Sequence, residues 1–170
     1  MMKLRVFVWI WILAANALAL HAQIRWVQVG INGLTCSQCS RSVEMSIRKL
    51  EFVADVQMDL ENTEGRITFK PGVKIDVDKI AGAVYDAGFS VRYLKAGMLF
   101  TNFDQAEHSC YLEDGVGYQF ISPGAQVLNG ETTVTFVGKK FLPLKEYKAW
   151  KNKLKSACSS EAKKVYYVTL

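Results

Sequence analysis

Histidine is almost absent from this sequence: His21 and His108 are the only two in 170 residues. His21 falls in an N-terminal leader, so no Ser/His/Asp arrangement can be assembled, and classical hydrolase chemistry is not indicated. Proline is scarce, with 3 residues against 12 glycines, while half of the chain is hydrophobic. That balance has neither the polar excess of a disordered chain nor the repeat of a fibrous one. A strong charge of one sign is missing too. The 21 basic residues exceed the 16 acidic ones only slightly, for a net charge of +5. Two of the positives, Lys3 and Arg5, sit in the leader, so charge gives no support for a nucleic-acid partner. No internal repeat is present. The length allows one medium domain or two small ones.

What is there begins with the leader. Lys3 and Arg5 precede an apolar run from Val6 to Leu20, broken only by Asn16, and small residues follow at Ala17, Ala19 and Ala22. A basic start, a short apolar stretch and a small-residue exit read as a signal peptide over 1–22, cut after Ala22 or Ala19. Fifteen apolar residues rise only about 22 Å as a helix, short of the roughly 30 Å of a bilayer core. The expectation is an exported protein, periplasmic or secreted, with no stable membrane span after cleavage.

The mature chain changes texture once. Over 24–95 the pattern reads strand, helix, strand, strand, helix, strand. Ile24–Val29 is rich in strand formers, and Ser37–Leu50 places Val43, Ile47 and Leu50 on one helical face. Val53–Leu60 alternates, Asn62-Thr63-Glu64-Gly65 turns, and Arg66–Phe69 returns. Asp76–Ala87 is helical with Ile80 and Val84 inward and Gly88 as its cap, and Ser90–Leu94 closes the unit. This βαββαβ order predicts an α+β, ferredoxin-like domain over 23–95. Beyond Lys95, short aromatic-rich strands and one helix after Pro143, with Tyr147, Trp150, Leu154 and Cys158 in step, predict a small β-rich C-terminal domain over 98–170. Its role is not legible.

Chemistry concentrates in Gly33-Leu34-Thr35-Cys36-Ser37-Gln38-Cys39. Two thiols separated by two residues stand where a glycine loop enters a helix, and unpaired N–H groups there favour a thiolate. Two convergent thiolates suit soft, low-coordinate metals, above all Cu(I). With this loop, the hairpin 62–69 and Asp86-Ala87-Gly88-Phe89, residues 24–95 resemble the heavy-metal-associated domain of copper chaperones and metal-transporting ATPases. The resemblance implies Cys36 and Cys39 as the metal ligands and Phe89 as a residue beside the site. Leu34 stands where the family usually has Met. Thr35 stands where zinc-selective members tend to carry an acid, which leans the choice to Cu(I) over zinc. The partners implied are a metal ion and a metal-transport protein or other thiolate donor or acceptor. No covalent reaction is catalysed in this reading, so the chain is not an enzyme.

The runner-up is a thiol–disulfide oxidoreductase using the same pair. Such enzymes usually surround their cysteines with Trp, Gly and Pro; here Thr35, Ser37, Gln38 and Ser40 flank them, and Pro71 lies at a turn. A plain local disulfide is the third reading, and it closes almost no loop. Elsewhere, His108 and Cys110 share a face if they lie on a strand and would make half a metal site. Pairing of Cys110 with Cys158 is the preferred alternative, with His108 on the surface. Lys148, Lys151 and Lys155 offer a face to anionic lipid or a partner, but such a run is far more often a solvated helix face, and that is the reading taken. Phe100, Phe103, Tyr118, Phe120 and Phe136 read as core.

Overall fold

Residues 24–170 are described by a computed structural model. The leader expected over 1–22, His21 included, lies outside them. Among the described residues no helix is long and apolar enough to cross a membrane.

Strand β1 (Ile24–Asn32) buries Val27, Val29 and Ile31. Helix α1 (Ser37–Arg48) answers with Val43 and Ile47. Strands β2 (Val53–Asp59) and β3 (Glu64–Phe69) form an antiparallel hairpin whose inward residues are Val53, Val56 and Ile67. A register shift between Val53 and Asp55 restarts the alternation, and Leu60 falls in the exposed turn rather than inward. Helix α2 (Val77–Asp86) buries Val77, Ile80, Ala81, Ala83 and Val84, and Gly88 at φ 87° ends it. Strand β4 (Ser90–Asp104) follows. These six elements form a sheet ordered β2-β3-β1-β4 with both helices sharing its core, the ferredoxin-like arrangement.

The second half departs from the expected separate unit. Ser90–Leu94 and Met98–Phe103, read as strands of two domains, are one fifteen-residue strand, and 95–98 falls in its middle. Leu94, Ala96 and Met98 keep the inward alternation running through that point, so nothing breaks the strand. Strands β5 (Cys110–Glu113), β6 (Val116–Phe120), β7 (Val127–Val137) and β8 (Lys164–Thr169) then extend the same sheet to β2-β3-β1-β4-β7-β8-β6-β5. Strand β8 runs antiparallel to β7 and parallel to β6. Phe100, Phe103, Tyr118, Phe120 and Phe136 are all buried there.

Helix α3 (Leu144–Trp150) is shorter than the apolar spacing implied; a 3-10 turn at Lys151–Lys153 follows, and Cys158 lies beyond it. None of its residues is buried. A helix this short has little intrinsic stability and no packed face to prolong it. Buried Gln119 accepts the Ala157 N–H at 2.7 Å and holds the chain out of helical register before Cys158.

One polar cluster joins the extension to the first unit. Asp76, the N-cap of α2, accepts from the Asp78 N–H (3.0 Å), Lys164 Nζ (3.0 Å) and the Tyr166 hydroxyl (3.2 Å). Burial opposes ionisation of Asp76, but Lys164 and these donors outweigh it and hold its carboxyl below the usual carboxylate range. A depressed pKa contributes stability that is fully present above the ordinary carboxylate value and lost as pH falls through the lowered one. Asparagine still caps a helix, so Asp76→Asn isolates the attraction to Lys164. Both side chains are more than a third exposed (37% and 38%), so solvent screens the pair. Asp76→Asn is expected to cost about 0.5–1 kcal/mol in urea unfolding at neutral pH, a cost that disappears as pH falls through the lowered carboxyl value.

Two glycines give a paired stability test. Gly33 ends β1 at φ 83°, where an L side chain is strained, whereas Gly82 lies inside α2 with open space around it. Gly33→Ala should destabilise by about 1–2 kcal/mol and Gly82→Ala should stabilise by about 0.5–1 kcal/mol, read as shifts of the urea midpoint.

Candidate metal site

The loop between β1 and α1 is anchored from below. Leu34 is buried in the core, while Gly33 before it and Thr35 and Cys36 after it are exposed. The left-handed turn at Gly33 makes the descent to Leu34 possible, and the Phe89 ring lies beside it, 3.9 Å from where a Cβ at Gly33 would stand.

Cys36 is the N-cap of α1. Its backbone is extended (φ −146°, ψ 157°), and its sulfur accepts the Cys39 N–H at 3.1 Å. Its carbonyl accepts the N–H of buried Ser40 at 3.0 Å, which closes the first helical turn. Cys39 is half-buried against the core, so the pair has one exposed and one supported sulfur. The two Cα atoms are 5.2 Å apart and the sulfurs are bonded to one another. No acidic residue stands in the first turn of α1, so the positive end of the helix is left uncompensated except by sulfur. On reduction, that field and the Cys39 N–H both favour thiolate over thiol.

Neighbouring strand ends brace the loop. The Ile31 N–H bonds Thr63 O at 2.9 Å, and Arg92 donates to Asn62 O at 2.7 Å, tying the β2–β3 turn to β1 and β4. Arg92 carries no local sequence signal for this role, because its partner is thirty residues away.

Among the described residues no group of three or more His, Cys, Asp or Glu side chains converges. A closed tetrahedral zinc site therefore has no full ligand set among them. His108 is exposed (66% for its side chain), and among the described residues its ionic neighbour is Glu107 at 4.0 Å. Cys110 is bonded to Cys158, with Cα atoms 5.2 Å apart, so it is not paired with His108 as a metal site.

The profile of the Heavy-metal-associated domain matches residues 28–90. The mercuric transport protein periplasmic component of Serratia marcescens is 34% identical over 77 residues, which span 45% of this chain and 84% of that protein. Copper-transporting ATPase 1 of Rhizobium meliloti (strain 1021) is 42% identical over 69 residues. Those residues are 41% of this chain but only 8% of the ATPase, so the chain spans under a tenth of that relative's length. Among solved structures, oxidized MerP from Ralstonia metallidurans CH34 is 35% identical, with a TM-score of 0.36 over 39% of this chain and 94% of that one. Matched over most of the length of a mercuric transport component and by the domain profile across β1 to β4, the chain belongs to the heavy-metal-associated domain family.

Proposed function

We propose that this protein is an exported carrier that captures and hands on a soft metal ion, Cu(I) first, through Cys36 and Cys39. The observation that carries the reading is the position of the pair. Two sulfurs converge at the exposed, uncompensated N-terminus of α1, with Cys39 seated against the core. An external dithiol reduces the Cys36–Cys39 bond by exchange, passing its two electrons and two protons to the pair and leaving as a disulfide, and loading then releases the protons of the two thiols. Transfer then proceeds by ligand exchange: a partner's thiolate enters the open site before the second cysteine leaves. Relatives named as copper-transporting ATPases support Cu(I) as cargo. The mercuric transport relative supports a second reading, Hg(II), which asks the same of two thiolates. It also supports export, in line with the leader expected over 1–22.

A two-thiolate site has no spare ligand, and a hydroxyl is a poor one for soft metals. Cys36→Ser and Cys39→Ser are each expected to weaken Cu(I) binding at least about 100-fold in competition with a Cu(I) chelator under reducing conditions. The same titration with Hg(II) ranks the two cargoes. Undiminished binding in the double variant overturns the carrier reading. A wild-type protein that binds neither ion yet reduces a model disulfide through Cys36 establishes the oxidoreductase instead.

Export and the second cysteine pair share one measurement. Mass spectrometry of the exported protein, digested without reduction, is expected to show an N-terminus after Ala22 or Ala19 and a Cys110–Cys158 cross-linked peptide.

A further inference from the structure

Between Leu144 and Ser156 the chain carries five lysines (Lys145, Lys148, Lys151, Lys153 and Lys155) and a single acid, Glu146. All five are exposed. Lys140 and Lys164, on the flanks, meet Asp78 and Asp76, but among the described residues none of these five lies within 4.0 Å of a carboxylate. Self-repulsion among them is therefore left standing. A segment built only for solvation has no reason to gather so much of one sign, and an external anionic surface would relieve it.

Apolar residues accompany the charge. Leu144 is 58% exposed, and Tyr147, Trp150 and Leu154 follow at three- and four-residue steps, each only half-buried. Lys153 stands over the Trp150 ring at 5.3 Å. Lysine stems interleaved with a tryptophan, a tyrosine and a protruding leucine match the chemistry of a bilayer interface, where apolar parts enter the headgroup boundary and ammonium groups meet phosphate.

The segment is also held at both ends. Phe141 and Leu142 are buried just before it. Just after it, Ala157 is hydrogen-bonded to buried Gln119 and Cys158 is bonded to Cys110. A strap pinned this way pays little ordering entropy on docking. From the unpaired lysines, the interleaved apolar residues and the two anchors, we infer that 144–156 is a membrane-docking strap that binds anionic phospholipid surfaces. This role is independent of the cargo at Cys36 and Cys39.

The test is co-sedimentation of the full chain with two kinds of vesicle, phosphatidylcholine alone and phosphatidylcholine with about one-third phosphatidylglycerol, at about 0.1 M salt. The comparison protein carries Lys145→Gln, Lys148→Gln, Lys151→Gln and Lys155→Gln. None of these residues is buried, so its thermal melt should match the wild type. The N-terminal apolar run is common to both proteins and cancels between them. The wild type is expected to prefer anionic vesicles by at least about 10-fold, and the variant to lose on the order of 100-fold in affinity for them. Equal binding of the wild type to both vesicles, or wild-type binding by the variant, overturns the proposal. So does failure to bind either vesicle, an outcome that redirects the strap to an acidic protein surface.

Discussion

Strand β4 pairs with β1 along one edge and with β7 along the other, and on that double pairing the rest of the molecule depends. In a sheet ordered β2-β3-β1-β4 alone, β4 would be an open edge with a row of unpaired backbone groups, a template for unwanted association. Here β7 occupies it; β2 remains one edge of the sheet and the other moves outward to β5. One side chain reinforces the seam from the outer face. Trp26 on β1 lies where a Cβ at Gly97 of β4 would stand, beneath Arg66 of β3 at 4.2 Å, and its indole N–H bonds Glu131 of β7 at 2.8 Å. Tyr93 covers Gly30 in the same manner and bonds Glu64. Aromatic rings fill the space beside both glycines, and each glycine adjoins a register shift in the β1–β4 pairing.

The first unit uses its two helix N-termini in opposite ways. Helix α2 begins with Asp76 and has Asp78 in its first turn, and Lys164 and Lys140 of the extension meet those carboxylates. That end is satisfied and serves attachment. Helix α1 begins with Cys36 and has no first-turn acid, so its positive end is available to sulfur and to whatever anionic form sulfur takes. The difference rests on a few side chains. An acid introduced at Ser37 or Gln38 would spend the same field on a carboxylate and leave less of it for the thiolates.

The first unit was legible because its signals are local. The spacing of Val43 and Ile47, the cap at Gly88, the turn at 62–65 and the loop 33–39 each lie within a few residues, and each appears in the structure near its expected place. The second half depends on contacts far apart in sequence, which no local pattern encodes. The change of texture after Lys95 reads as a boundary until β4 is seen running through it and pairing with β7. Apolar steps from Tyr147 to Cys158 imply a longer helix until Gln119, 38 residues from Ala157, is seen holding that backbone. Lys164 gives no hint in sequence that it reaches Asp76, 88 residues earlier. At the loop, the cysteine spacing was visible, while the bracing of its neighbouring turn by Arg92 was not.

The two cysteine pairs divide stability from reactivity. Cys110 and Cys158 are 48 residues apart, and closing such a loop restrains the unfolded chain by about 4 kcal/mol in the entropy model. Cys36 and Cys39 are three apart, and the same model gives them only about 2 kcal/mol. Cys158 also packs over Gly117, where any Cβ would strike its sulfur, whereas Cys36 stands exposed at the helix start. A reductant of intermediate strength therefore meets one bridge that folding defends and another that folding hardly needs. Opening the second frees two sulfurs at the start of α1, outside the core around Val43 and Ile47. For the carrier role proposed above, that asymmetry divides the work: one bond holds the extension, and the other opens at a smaller cost to the fold.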